Sequence, residues 1–237
     1  MESAMFRALL HIAIAGVQPA IWLMMKRDWR GREHIPLTGP AIFVVNHISV
    51  ADPILVGHYL YANGRHPRFL AKDSLFRVPI LGRALHGIGQ IPVRRGSADA
   101  MLALKSAVEA IEAGETVIVY PEGTCTKDPE LWPMVGKTGA ARLAMQTGAP
   151  VIPIAQWGAQ RFHDPITGKI GLRPRTKISV AAGPAVDLSE FSGKPQSAEV
   201  LRSMTSVIML QLRENLAVIR GLPIPEGPLY SPGAKVA

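Results

Sequence analysis

Residues 44–53 read VVNHISVADP, and the fold turns on how this stretch is placed. Two β-branched residues run into Asn46 and His47, and Asp52 and Pro53 close the stretch. On a straight helix the His47-to-Asp52 spacing sets the two side chains about 140° apart, and on a strand an odd separation sets them on opposite faces. A strand that ends near Val45 and turns into a helix starting at Asp52 or Pro53 lets them meet, because Asp is a good N-cap and Pro suits the first helical position. The stretch therefore predicts a strand-to-helix corner with a possible His–Asp dyad. A plainer reading uses the same letters: Asp52 or Ser49 caps the helix, and His47 is a buried, hydrogen-bonded imidazole.

Outward from the corner, apolar β-rich runs alternate with helical patterns. AIFVV is followed by 53–62, RFLAK by 79–86, GIGQIPV by 97–113 and TVIVY by 137–147; VIPIAQW, KISVAAG and a final pattern over 198–219 complete the series. Strands rich in Val and Ile, separated by helices, predict an α/β fold with a mostly parallel central sheet covered by helices. In the helix from Ser97, Met101, Leu104, Val108 and Ile111 recur at three and four, with Ser97 as N-cap. The expected organisation is a membrane-associating N-terminal helical segment over 1–30, an α/β domain over 31–220 and a Pro/Gly-rich tail over 221–237, an extended strap or disordered.

The N-terminal segment carries Arg7, His11 and Gln18 on one helical face and Phe6, Leu10, Ala13 and Val17 on another, with Pro19 interrupting the pattern. Trp22 and Trp29 flank Lys26, Arg27, Arg30 and Arg32, residue types that sit at headgroup depth. A helix lying in the bilayer interface is expected. A span would have to bury His11 and Gln18, and a core-packed helix pair is the structural alternative.

The formal charge is +8, and its field lies in the N-terminal part: up to Gly96 there are 12 Lys and Arg against 5 Asp and Glu, and beyond it 14 against 13. A basic surface suits anionic lipid, phosphorylated ligands or nucleic acid. No zinc-finger spacing, RNP-like aromatic motif or basic helix with heptads is present, so a nucleic-acid partner is not expected. Apolar residues make up 48% of the chain, high for a soluble protein and suited to work at an apolar surface. The single cysteine, Cys125, excludes an internal disulfide and a cysteine-rich zinc site; no metal is expected.

Two further strand ends are polar. GQIPVRRGS runs into Arg94, Arg95 and Gly96 immediately before the Ser97 cap, so guanidinium forks and a helix N-terminus suit one phosphate; a solvated Arg pair in a turn is the alternative. TVIVYPEGTCTKD ends a strand with Pro121, Glu122, Gly123 and Thr124, a carboxylate beside a residue that lets backbone approach a ligand. VGKTGAARLA sets Lys137 and Arg142 around another helix start, but lacks the spacing of a nucleotide-binding P-loop. In parallel-rich sheets ligands bind at the carboxyl ends of strands, and these stretches share such ends.

Together the motifs resemble those of the PlsC-type lysophospholipid acyltransferases, best known as 1-acyl-sn-glycerol-3-phosphate acyltransferases. Asn46, His47 and Asp52 match the first motif, N-H-x-x-x-x-D; GQIPVRRG matches the second, with Arg95 at its arginine; Pro121–Thr124 match P-E-G-T; VIPI around Pro153 matches the fourth. GKTGAARLA is similar to the lysine-containing segment between the last two, and the resemblance covers about residues 31–160.

The resemblance implies transfer of a fatty acyl group from an acyl-CoA or acyl carrier protein thioester, a co-substrate and not a cofactor, to the free hydroxyl of a lysophospholipid, most simply 1-acyl-sn-glycerol-3-phosphate to give phosphatidic acid. His47 would act as general base with Asp52 fixing its tautomer, the imidazole being largely neutral at pH 7 with a pKa of about 6.5. Arg95, with Arg94, would hold the phosphate and Glu122 the glycerol backbone. Gly123, Thr124 and Lys137 would complete the substrate site, and backbone N–H groups near Glu122–Thr124 or the helix start after the first motif are candidate oxyanion donors. Membrane association at the cytoplasmic face, peripheral or monotopic, goes with amphiphilic substrates. Cys125 stands where the family commonly has Arg, which leaves glycerol-3-phosphate or another lysophospholipid open as acceptor, with Arg94, Lys127 or Lys137 as the replacement cation. Its expected role is that of a small inert side chain. A thioesterase or lipid esterase is the competing class, although no G-x-S-x-G elbow is present.

Overall fold

The computed structural model describes residues 23–93, 97–171 and 173–232. Its strands are β1 (Met25–Arg30), β2 (Ala41–Val45), β3 (Pro67–Lys72), β4 (Ile91–Val93), β5 (Thr116–Val119), β6 (Val151–Trp157) and β7 (Thr176–Ala182). Its α-helices are α1 (Asp52–Tyr61), α2 (Asp73–Phe76), α3 (Pro79–Gly87), α4 (Ser97–Glu112), α5 (Gly139–Thr147) and α6 (Ala198–Arg220). The strands form one sheet in the order β1-β7-β6-β2-β5-β3-β4. Every pairing is parallel except β6 with β7. The expected α/β architecture is thus the observed one.

Period-two alternation in β2 separates the two sides of the core. Ile42 and Val44 join the face covered by α4, α5 and α6, where Ala107, Leu143 and Ile208 pack. Phe43 and Val45 join the face covered by α1 through Leu55, Val56, Tyr59 and Leu60. Helix α4 meets the sheet through Ala103, Ala107 and Ala110 with Ile111, whereas Met101, expected on that face, is exposed. Small residues let the helix approach the strands closely. Helix α6 begins at Ser197, whose Oγ accepts the Val200 amide at 3.2 Å, and stops at Gly221.

One expected boundary changes. The basic, tryptophan-flanked run placed within the N-terminal helical segment is edge strand β1 over Met25–Arg30, parallel to β7. The physical reason is a strand period in its charges: Asp28 bonds Ser179 at 3.1 Å and Lys177 at 3.0 Å across the strand pair, and also pairs with Arg30 at 2.9 Å. The Arg30 bond, against a smaller opposing effect of burial, holds the Asp28 carboxyl down at about 2. Charged side chains on an edge strand also discourage further strand addition. Residues 1–22, with the expected interfacial helix, lie outside the described residues; no helix among the described residues is long and apolar enough to cross a membrane.

At the other end the tail is a strap as far as residue 232. Arg213 donates to the Gly227 carbonyl at 3.0 Å, and the Val135 amide donates to the Tyr230 carbonyl at 2.9 Å. The Arg220 guanidinium lies between two indoles, 4.0 Å from the Trp132 ring and 4.2 Å from that of Trp157, and donates to the Glu130 carbonyl. These contacts fasten α6 and the tail to residues 130–135.

Helices α2 and α3 form a short hairpin closed at Gly82. A Cβ there would stand 2.0 Å from the Phe76 carbonyl oxygen, a backbone atom that cannot swing aside. Gly82→Ala should therefore destabilise the protein by about 1–3 kcal/mol as an overpacking change despite the better helix propensity of Ala. Thermal melting checks this; an unchanged or raised Tm contradicts the close approach.

Candidate functional site

The predicted corner forms, and its geometry explains the spacing. His47 Nδ1 lies 2.8 Å from Asp52 Oδ2, and the same oxygen accepts the Ile48 amide at 2.7 Å and the Ser49 amide at 2.9 Å. A carboxylate only accepts, so Nδ1 carries the proton and Nε2 is left to act. Asp52 does not cap α1 as its identity suggested. Ala51 occupies the N-cap position without a side-chain bond, while the Asp52 carboxylate turns back onto the residues before it. Its side chain is fully buried.

Neighbouring strand ends hold the histidine by its backbone. The His47 amide donates to Glu122 Oε1 at 3.0 Å, and its carbonyl accepts the Thr126 amide at 2.7 Å. Glu122 Oε2 accepts the Met134 amide at 3.0 Å. Glu122 is only 4% exposed, and its two oxygens brace β2, β5 and the 130s segment through these amides. Burial raises its carboxyl to about 7 against the pull of the two amides.

Burial alone would lower the His47 pKa, but the Asp52 hydrogen bond and charge, with the Cys125 sulfur, raise it to about 10. Burial raises Asp52 too, against the opposing pull of His47 and the Ser49 and Ile48 amides. Both directions favour a proton held firmly on the pair. Tyr120 packs its ring 4.4 Å from the imidazole at 30°, and Phe69 stacks on Tyr120 at 6.3 Å and 16°. Cys125, expected to be inert, has Sγ 3.7 Å from Nε2 and 3.8 Å from Nδ1. The near-equal distances favour neither ring nitrogen.

The P-E-G-T turn and Lys137 come together. Gly123 takes φ +69°, and a Cβ there would stand 2.8 Å from Lys137 Nζ, so only glycine lets the ammonium lie over the turn. The Lys137 amide donates to the Pro121 carbonyl at 2.8 Å, and half-buried Thr124 sits in the same turn. Arg94 and Arg95 lie outside the described residues, directly after β4 in the chain.

Sequence reasoning missed Gln156. The Asn46 Nδ2 donates to its carbonyl at 3.0 Å and Asn46 Oδ1 accepts its amide at 2.8 Å, so a side chain extends the β2–β6 ladder past the strand end. The available signal was a glutamine inside an apolar buried strand, in register with the polar end of β2.

The acyltransferase family model matches residues 26–157, from β1 to the end of β6. A chloroplastic 1-acyl-sn-glycerol-3-phosphate acyltransferase of Brassica napus is 33% identical over 171 residues, 70% of this chain and 47% of the relative. The 1-acyl-sn-glycerol-3-phosphate acyltransferase of Borreliella burgdorferi is 26% identical over 87% of this chain and 78% of its own. The crystal structure of PlsC, the 1-acyl-sn-glycerophosphate acyltransferase of Thermotoga maritima, superposes with a TM-score of 0.63 at 27% identity, covering 84% of this chain and 76% of that one. The chain spans about half the length of the chloroplastic relatives it matches. Because the matched stretch contains the dyad corner, the Glu122 brace and the strands that carry them, the chain belongs to the acyltransferase family.

Proposed function

We propose that the chain transfers a fatty acyl group from a thioester, on CoA or acyl carrier protein, to the free hydroxyl of a lysophospholipid at a membrane surface, with 1-acyl-sn-glycerol-3-phosphate as the acceptor. The observation that carries this is the His47–Asp52 pair, with Nδ1 held at 2.8 Å and Nε2 left for a substrate proton. The activities by which the relatives are named support the substrate class.

In this reading Nε2 takes the acceptor's hydroxyl proton as its oxygen attacks the thioester carbonyl. Asp52 stabilises the imidazolium that forms. The tetrahedral intermediate then collapses, the thioester C–S bond breaks, and the departing thiolate recovers the proton from His47. The amides of Ile48, Ser49, Ala51 and Asp52 are bonded within the corner, which leaves the Val50 amide as the helix start's candidate oxyanion donor. Gly123 and Thr126 amides are bonded as well, to the Tyr120 and His47 carbonyls. The Thr124 and Cys125 amides are the donors this reading assigns to the oxyanion. Lys137, over the Gly123 turn, supplies the cation for the acceptor phosphate where Cys125 replaces arginine, together with Arg95 and Arg94.

A base whose proton is held firmly is sparsely available at pH 7 but strong when available. With the His47 value raised to about 10, kcat/KM should climb with pH through the neutral range and level off near the top of the stable range. Asp52→Asn should move that limb to lower pH and lower the plateau. The stability that His47 gains from the pair is present below its unfolded value, about 6.5, and is lost as pH rises through about 10. The Tm gap between wild type and His47→Gln should therefore narrow on that approach. A pH–rate profile and melts across pH check both; a limb at the ordinary imidazole value would remove the pair from the mechanism. His47→Ala should cut turnover by about 10²- to 10⁴-fold in a folded protein.

Arg95→Ala should raise the KM for lysophosphatidate by about 10- to 150-fold, the worth of a charge-assisted bond, and leave that for the acyl donor nearly unchanged. Steady-state kinetics varying each substrate separately decide. A defect confined to the donor would assign Arg95 to the CoA phosphates instead.

A further inference from the structure

Large apolar side chains stand in solvent along one part of the site's rim. Val50 and Ile54, at the start of α1, are 63% and 64% exposed. Across the sheet end, the α2–α3 hairpin exposes Leu75, Val78, Ile80 and Leu81, with Ile80 at 82%. In α3 only Gly82 is buried, so this helix contributes almost nothing to the core. Both groups follow the carboxyl ends of parallel strands, Val50 and Ile54 after β2 and the hairpin directly after β3. The two are joined through Gly57 of α1 against the Phe69 ring, and Phe69 stacks on Tyr120, which packs on His47.

Charge decides what covers this ridge. From Lys72 to Ile88 the chain carries Lys72, Arg77 and Arg83 against a single acid, Asp73. Arg77 pairs with Asp73 at 2.7 Å and still leaves 69% of its side chain in solvent. The Arg83 Nε donates to the Pro79 carbonyl at 3.4 Å on an exposed face. Apolar side chains flanked by guanidinium and ammonium groups match a bilayer with anionic headgroups, where the apolar tips enter the acyl boundary and the cations stay at headgroup depth.

We propose that the α2–α3 hairpin, with Val50 and Ile54, is a membrane-contact surface in its own right, separate in sequence from residues 1–22, which rests the mouth of the site on an anionic bilayer. The inference rests on the lysophospholipid reading for its purpose, since an acceptor anchored in a bilayer has to reach Nε2 without leaving it. Its geometry and charge stand without that reading.

The test uses the full chain and vesicles of mixed phosphatidylcholine and phosphatidylglycerol, with no substrate present, so that it reads independently of acyl transfer. Val78→Glu with Ile80→Glu should reduce the vesicle-bound fraction in sedimentation by about tenfold or more, whereas Ile80→Trp should hold or tighten binding. Both positions are exposed, so wild-type melting is expected; Ile80→Ser, which adds no charge, gives a smaller loss and serves if the double variant melts early. Turnover of bilayer-embedded lysophosphatidate should fall with binding, while turnover of a short-chain acceptor dispersed in water stays near wild type. Wild-type vesicle binding by the folded double variant would overturn the proposal. So would a wild-type dimer in gel filtration that the double variant converts to monomer, which would assign the ridge to a second copy of the chain.

Discussion

One oxygen atom organises the site. Asp52 Oδ2 accepts from the His47 ring and from the amides of Ile48 and Ser49, all within 2.9 Å. A buried carboxylate is costly unless several donors face it, and withdrawing one partner from such a group costs about 3–5 kcal/mol. Three donors converging from a single turn can be supplied only if the chain leaves β2, passes through His47, Ile48 and Ser49, and enters α1 at Asp52 without extra residues. The spacing of the dyad is therefore the length of that turn. The imidazole's orientation and the direction in which Nε2 points follow from it.

The corner would be loose if the turn were fixed only at its own ends. Asn46 prevents this at one side by carrying the β2–β6 ladder onward with its side chain to Gln156. On the other, Glu122 takes the His47 amide and passes the restraint to Met134, whose neighbours are held by the Tyr230 strap and by Arg220 between Trp132 and Trp157. Asn46 and Glu122 are bonded here to backbone partners from distant segments, which is the condition under which buried polar groups specify a geometry. The tail as far as Tyr230 thus reaches the His47–Asp52 corner through a continuous set of directed contacts.

Much of this was legible in the sequence because it depends on local chemistry. The β2, β5 and β6 runs, the helices expected over 137–147 and 198–219 and found over 139–147 and 198–220, and the meeting of His47 with Asp52 follow from periodicity, caps and the turn between them. What escaped depends on partners distant in the chain. Met25–Arg30 reads as a basic, tryptophan-flanked membrane exit, and only the open edge of β7 and the Lys177 and Ser179 side chains make it a strand. Glu122 reads as a ligand contact by position in its motif, and its bracing of the Met134 amide depends on the loop after β5. Gln156 carries no motif at all; its role comes from lying one residue past the position opposite Asn46 on β6.

The same frame accounts for the way apolar surface is distributed. Three helices cover one face of the sheet and are buried through small or branched side chains, while α1 covers the other with Leu55, Val56, Tyr59 and Leu60. The core is built largely from these, and the apolar side chains of α2 and α3 add little to it, Ile80 standing 82% exposed. Exposed apolar side chains grouped together are rarer on soluble domains than scattered ones. Here the grouping lies at the edge where β2 and β3 end, the edge that also presents Nε2 of His47. A rigid polar corner and an exposed apolar rim thus share one sheet edge, and the proposed lysophospholipid reading uses both, the corner as base and the rim as bilayer contact.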